Sequence, residues 1–510
     1  MDTFNGTKQI IRFLLDDWKL LTTLSVTFFT YFYFTSTFTY FKERGIKYLK
    51  PVIFFGNLWP RLIARESFNE FQLKIYNHFK GERYGGIFEG RRPVMYILDP
   101  DLIKAITIRD FDHFVNRNTL RSRGPRYLER NILNLKDSEW KSVRSVITPT
   151  FSSFRLKNMF PLMQDSAQKL LAYLEDKNGS VIEVKQVMGY YTLDTIGTCA
   201  FGIDTCFHKN FDSEFIKAAE DFNKMSVMKR MSLLLILMLI PGLAKYFNIS
   251  FFNSDSMKVL MPILQRAKAE RRSSESKRSD FLQLLIDAAA KEQEEVNGHT
   301  ELDDDTIDAQ AIIFLVAGYE TSSTLLSFVI HTLAVQPEIQ QRLREHVRDV
   351  TGGEDVTYDH LAELDYLEGV LLETCRIYPP FARFDRVCVK PYTMPGSSVQ
   401  IGVNDVVAIP VPGFHMDPKL FPEPEKFIPE RFMREEKNNR PGHYFLGFGA
   451  GPRNCIGMRF SMVTMKLAMC VLLKNYKFSP CSKTEVPLKY AKRSFVLKTE
   501  TGIWVQLDKI

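Results

Sequence analysis

The chain has 510 residues, 45% of them hydrophobic and 25% charged, with 27 Gly and 24 Pro; these globular proportions exclude disorder, a collagen-like fibre and low-complexity repeats. Seven Cys and no C-x-x-C exclude a disulfide scaffold, the common zinc-ribbon and thioredoxin-like sites, and C-x-x-C-H haem attachment. A formal charge of +7 from 67 basic and 60 acidic residues argues against nucleic acid as a partner and permits a basic face toward an acidic one, while 41 Phe and 20 Tyr suit a large apolar ligand.

From the N-terminus, 22 consecutive uncharged residues run from Leu20 to Phe41, enough for a helix of about 33 Å. Nine of the 22 are Ser or Thr, so a buried or interfacial helix is the alternative to a membrane span. Lys42, Arg44, Lys47 and Lys50 follow against only Glu43, whereas Lys8, Arg12 and Lys19 are balanced by Asp2, Asp16 and Asp17. The positive-inside bias then leaves the bulk of the protein cytosolic. The stretch is too long for a signal-peptide core and lacks a small-residue cleavage site, which favours an uncleaved anchor. The expected organisation is a lumenal N-terminus over 1–19, a transmembrane signal anchor over 20–41, a basic hinge over 42–56 and one domain over 57–510. Asn5-Gly6-Thr7 is then a lumenal glycosylation sequon, and those at Asn178 and Asn248 face the cytosol unmodified.

Trp140 and Arg144 follow at i, i+4, which puts two hydrogen-bond donors on one helix face. The polar segment 271–281 reads as an exposed connection. The apolar run 231–240, stopped by Pro241-Gly242, is too short to span and is either a core helix or a loop dipping into a bilayer beside the anchor. A long helical pattern then runs from the acidic Asp303–Asp305 to a stop at Pro337. It carries Ala317-Gly318-Tyr319-Glu320-Thr321. A mid-helix Gly costs about 1 kcal/mol against Ala, which makes sense where a ligand presses on the helix.

Glu373 and Arg376, spaced i, i+3, can pair on the next helix. Arg431 follows in Pro429-Glu430-Arg431-Phe432. The densest signal is Phe448–Gly457, FGAGPRNCIG, where Cys455 stands among Gly449, Gly451 and Gly457 with Arg453 two residues before it. Glycines let the backbone approach a bulky planar group and turn amides toward a thiolate, and Arg453 can pair with a carboxylate of the same ligand. The helix-like stretch Met458–Leu473 follows, so the Cys sits near a helix N-terminus, which favours negative charge.

FGAGPRNCIG resembles the cysteine-ligand loop of the cytochrome P450 superfamily, F-x-x-G-x-R-x-C-x-G, at every fixed position. The Ala317–Thr321 segment resembles its A-G-x-[D/E]-T, Glu373–Arg376 its E-x-x-R, Pro429–Phe432 its P-E-R-F and Trp140–Arg144 its W-x-x-x-R, all in the family's order. The resemblance spans residues 45–510 and is closest to the microsomal clan of vertebrate family 3 and insect families 6 and 9. One departure is the hinge, which has Pro51 in place of a P-P-G-P cluster.

The resemblance implies a mainly α fold with a smaller β-rich portion, an N-terminal transmembrane helix and haem b bound through Cys455 to its iron. Trp140, Arg144, Arg386 and Arg453 are then expected on the propionates, with Phe448, Ala317 and Gly318 against the macrocycle. Thr321 and Glu320 handle protons for dioxygen. Glu373, Arg376 and Arg431 form a structural clasp for the Cys455 loop. The implied activity inserts one oxygen atom of dioxygen into a lipophilic substrate, whether xenobiotic, steroid, terpenoid or fatty acid, at the endoplasmic reticulum membrane. Electrons come from NADPH through a reductase, with cytochrome b5 as a further donor. Arg431, Arg434, Lys437, Arg440, Arg459 and Lys466 are expected on the donor face. Val316, Ala317, Pro379–Ala382, 117–135 and 225–252 are expected in the substrate pocket. Two rivals stand beside this activity: a haem-thiolate isomerase or dehydratase acting on a peroxide without a reductase, and a non-enzymatic haem- or ligand-binding sensor.

Overall fold

The computed structural model describes residues 2–119, 125–203, 205, 207, 213–222, 232, 236, 253–273, 278, 280–295, 302–434, 436 and 439–510. The expected pocket segment 225–252, with the apolar run at 231–240 and the Asn248 sequon, lies outside the described residues apart from Ser232 and Ile236, and Lys437 lies outside them too. Helices dominate. Among the described residues nine short strands form three small sheets, and the mainly α expectation with a β-rich portion holds.

The central element is the helix Asp304–Val335. The Asp303 side chain caps it, accepting from the Thr306 amide at 2.9 Å, and Asp304 and Asp305 add charge that suits a helix start. It ends at Gln336 because Pro337 cannot continue it. At 32 residues it is about 48 Å long, apolar on nearly every side, and therefore runs through the core. Among the described residues it is the one helix long and apolar enough to cross a membrane, and most of it is buried.

The helix Val184–Phe201 lies against it. A Cβ on Gly318 would stand 3.0 Å from Ile196, and one on Gly189 would stand 3.4 Å from Tyr319. Gly318 was expected to make room for a ligand. Its missing side chain lets two core helices approach.

The second core surrounds the sheet β1 (Tyr84–Glu89), β2 (Arg92–Ile97), β4 (Val406–Pro410) and β3 (Arg383–Val387), in that order. The β1–β2 and β3–β4 pairs are antiparallel and β2–β4 is parallel. β4 reads VVAIP and is buried throughout, as an inner strand demands.

The N-terminal helix runs from Asp2 to Thr35, and Trp18, Leu20, Leu24, Phe28 and Phe32 are all more than half exposed. The helix ends at Thr35, short of the Phe41 expected for the apolar stretch, because residues 36–41 belong to the folded domain. Thr37 donates to the Arg91 carbonyl at 2.5 Å, Tyr40 donates to Asp405 at 2.5 Å, and Phe41 is fully buried against Phe88. The expected hinge over 42–56 is not a free linker either. Tyr48 bridges Gly86 in parallel, Gly56 bridges Glu89, and the Leu49 amide donates to the Gly86 carbonyl. The segment extends the sheet, so the missing proline cluster is replaced by backbone pairing.

Candidate functional site

Cys455 lies two residues before Gly457, the N-cap of the helix Met458–Asn475. Its amide donates to the Phe448 carbonyl and the Gly449 amide to the Leu446 carbonyl, both at 2.9 Å, closing a tight loop. Gly451 has φ +72°, and a Cβ there would lie 1.7 Å from the Thr107 carbonyl oxygen, so only glycine fits. Cys455 has accessible surface, yet protein surrounds it closely enough that burial pushes its thiol pKa up. The Gly457 amide, Arg117 and Arg144 pull the other way. A thiol held protonated is a poor free nucleophile but a ready metal ligand, since a coordinating cation removes its proton outright.

Around this thiol gather four guanidinium groups. Arg386 is 1% exposed and its Nη1 donates to the Asp385 carbonyl at 2.9 Å. Arg144 donates to the Asn454 side chain at 3.1 Å. Arg453 stacks on Trp140 with its guanidinium carbon 4.0 Å from the ring centroid. Arg117, in a loop with no recognisable spacing, donates to the Arg453 carbonyl at 2.8 Å and was missed by the sequence reading.

Burial lowers the pKa of each. Mutual repulsion adds to it, so that Arg386 is pushed down to about 9 and Arg453 to about 8. Among the described residues the Nε atoms of Arg117 and Arg386 are buried without a hydrogen-bond partner. Unspent donors and clustered positive charge fit a ligand with two carboxylates. All three Arg453 nitrogens donate to carbonyls, of Val115, Ile132 and Leu135, which makes Arg453 first a strut between the Cys loop and the 115–135 segment.

Midway along the mostly buried central helix, Ala317 is exposed and Val316, Gly318, Tyr319 and Thr321 are partly so, and Cys455 is exposed as well. A thiol with surface to spare, anion-seeking donors and a small-residue helix face together fit haem. The Thr321 hydroxyl donates to the Ala317 carbonyl at 2.6 Å, a back-bond of the kind that bends helices.

Glu320 turns elsewhere. It is 7% exposed and ion-paired with Lys498 at 2.9 Å and Lys185 at 3.5 Å. Lys185 also donates to the Glu320 carbonyl, Ser323 and Thr324. Burial works to raise the Glu320 pKa and the two lysines outweigh it, leaving the carboxylate ionised below its ordinary range. Lys498 is 43% exposed and lines a shallow cleft with Phe68, Ala382 and Phe495, linking Glu320 to solvent.

Burial also pushes Lys185 down to about 8 from 10.5. Between those values the unfolded chain holds more protons, so this group makes stability rise with pH, by at most about 1.4 kcal/mol per unit. Lys185→Met is therefore expected to gain less in urea midpoint than wild type between pH 8 and pH 10. Equal gains would show that Lys185 does not titrate in that window.

Glu373 and Arg376, on the helix Asp365–Ile377, are fully buried in a two-pronged pair at 2.7 and 2.8 Å. Arg376 further donates to the carbonyls of His415, Pro424 and Lys426. Arg431 donates to Glu373 at 3.3 Å and to the Glu423 carbonyl, and the Ile428 amide donates to Glu373 at 3.0 Å. Glu373, Arg376 and Arg431 thus come together with their charges satisfied. The expected donor face is thinner than the sequence reading: Arg431 is buried in the clasp, and Lys466 is buried against Glu368 and the Leu361 carbonyl. Arg434 and Arg459 are exposed, and Arg440 lies over Phe421.

A family model described as Cytochrome P450 matches residues 47–505. The chain is 35% identical over 500 residues to Cytochrome P450 9e2 of Blattella germanica, covering 92% of this chain and 94% of the relative. It is 34% identical over 511 residues to Cytochrome P450 6k1 of the same insect, covering 96% of each. It is 36% identical over 493 residues to Cytochrome P450 3A6 of Oryctolagus cuniculus, covering 95% of each. The chain belongs to the cytochrome P450 family, and with it to the haem-thiolate monooxygenases.

Proposed function

We propose that this protein is an N-terminally anchored monooxygenase of the endoplasmic reticulum membrane. It oxidises a lipophilic substrate with dioxygen and with electrons passed singly from NADPH by a flavoprotein reductase, cytochrome b5 serving as a second donor. The observation that carries the reading is the accessible Cys455 thiol beside Arg117 and Arg144, which belong to a cluster of guanidiniums with unspent buried donors. The exposed apolar side chains of the N-terminal helix support the anchor.

Cys455 would hold the haem iron, Arg117, Arg144, Arg386 and Trp140 would hold the propionates, and Phe448 and Ala317 would flank the macrocycle. Bound there, the haem supplies dioxygen activation and oxygen transfer. The protein's own part is placement and proton supply. The Thr321 hydroxyl must turn from the Ala317 carbonyl to donate, and the ionised Glu320 holds Lys185 and the solvent-linked Lys498 beside the helix as the nearest proton donors to it. Arg434, Arg440 and Arg459 favour an acidic flavin domain by long-range attraction.

Full-length protein reconstituted with reductase in vesicles is expected to consume NADPH and dioxygen with a lipophilic substrate. Raising salt from about 0.01 M to 0.15 M shortens the screening length from about 30 Å to about 8 Å, so turnover should fall several-fold. Turnover of a peroxide without NADPH would favour the isomerase reading, and salt-independent rates would remove steering by the basic face.

A further inference from the structure

His415 ends the short helix Val411–His415 after the strand Val406–Pro410 and is completely buried. Its Nδ1 lies 2.9 Å from the Arg376 carbonyl oxygen and its Nε2 lies 2.9 Å from the Leu446 amide nitrogen. An amide can only donate, so Nε2 accepts, and Nδ1 must carry the proton that it donates to Arg376. The contact is reciprocal, because Arg376 Nη1 donates to the His415 carbonyl at 2.7 Å. The imidazole also stacks on Phe445, centroids 5.3 Å apart and planes 6° from parallel, and Phe445 packs edge-on against Phe432 of the clasp segment.

Leu446 begins the loop that ends at Cys455. Its carbonyl accepts from the Gly449 amide, and the Phe448 carbonyl accepts from the Cys455 amide. Beside it a Cβ on Gly447 would meet the Cys375 sulfur at 2.5 Å, so the clasp helix presses directly on the loop. An unbroken series of short hydrogen bonds thus leads from Glu373 through Arg376, His415 and Leu446 toward the thiol.

We propose that His415 is the positioning residue that transmits the Glu373–Arg376–Arg431 clasp to the Cys455 loop and fixes where the thiol stands. The proposal rests on the reading of Cys455 as the haem ligand. Burial, reinforced by Arg376, pushes the imidazole down to about 3, so it stays neutral and keeps one donor and one acceptor at physiological pH. A residue that merely filled space would need neither.

The test uses full-length, haem-loaded protein and three variants. His415→Gln keeps a donor and an acceptor, His415→Asn is too short to reach both partners, and His415→Phe keeps the stacking without hydrogen bonds. The readouts are the carbon monoxide spectrum of the reduced form, which separates thiolate-bound from thiol-bound haem, and haem transfer to apomyoglobin. His415→Phe should show a large fraction of the thiolate-free form and lose haem about 10–100-fold faster, as changes behind a metal ligand do, with His415→Gln near wild type.

A wild-type band and rate in His415→Phe would overturn the proposal while leaving the haem reading intact. A wild type without the thiolate band would overturn both. If His415→Phe does not fold, the amide pair decides: Gln with the thiolate band and Asn without it supports the proposal, and identical behaviour overturns it.

Discussion

Cys455→Ala is expected to abolish the thiolate signature of the reduced carbon monoxide complex and to bring reductase-supported turnover to background. Changes behind a metal ligand cost ~10–100-fold in affinity, so losing the ligand itself should cost more. The haem-free variant should nevertheless fold. The thiol has accessible surface and the loop is closed by backbone bonds between residues 446, 448, 449 and 455, none of which uses the sulfur. Its stability should lie within about 0.5 kcal/mol of wild type, as for exposed positions generally. Titration of both proteins with haem, followed by absorption and by thermal melting, separates ligand loss from unfolding. A variant that kept the thiolate band would remove Cys455 from the site.

The second large effect is expected at Arg376. Arg376→Ala leaves the buried Glu373 charge with the more distant Arg431 and the Ile428 amide and frees the carbonyls of His415, Pro424 and Lys426. Removing one partner of a buried pair costs about 3–5 kcal/mol. That is a large share of the ~5–15 kcal/mol that holds a domain together. We expect little or no haem-loaded protein. Arg376→Lys should recover little, because one ammonium cannot reproduce a two-pronged pair and three carbonyl contacts at once. Glu373→Gln should be milder, since its carbonyl oxygen can still accept from the Ile428 amide. Urea unfolding with haem content measured in parallel orders the three. Full haem loading in Arg376→Ala at an unchanged midpoint would show that the clasp is dispensable.

The clasp was legible in the sequence because Glu373 and Arg376 share a helix face, and Arg431 stands in a recognisable segment. The Cys loop was legible for the same reason: its glycines occur where backbone conformation or close approach requires them, and Gly451 meets Thr107 as such a position must. The central helix could be placed from its acidic start to its proline stop. What escaped are contacts between residues far apart in the chain. Arg117, Lys185, His415 and Lys498 obey no local spacing, and only the fold brings Lys498 to Glu320 or His415 to Leu446.

Gly318 carries a related ambiguity. A glycine in a helix announces close approach but not what approaches, and here it is Ile196 of the neighbouring helix. The N-terminal stretch misled differently. Absence of charge cannot distinguish side chains that face lipid from those, like Phe41, that enter a protein core.

The docked segment 36–56 has a consequence for how the protein would meet its partners. A catalytic domain on a slack cord tumbles, and a membrane-bound redox partner then has to find the right face among all orientations. Here Thr37, Tyr40 and Phe41 grip the sheet directly after the N-terminal helix, and Tyr48 and Gly56 pair with its edge. Fixing the tilt of that helix therefore fixes the tilt of the domain. Collisions within the plane of a bilayer would present the same side each time, turning a search over orientations into a search over position alone.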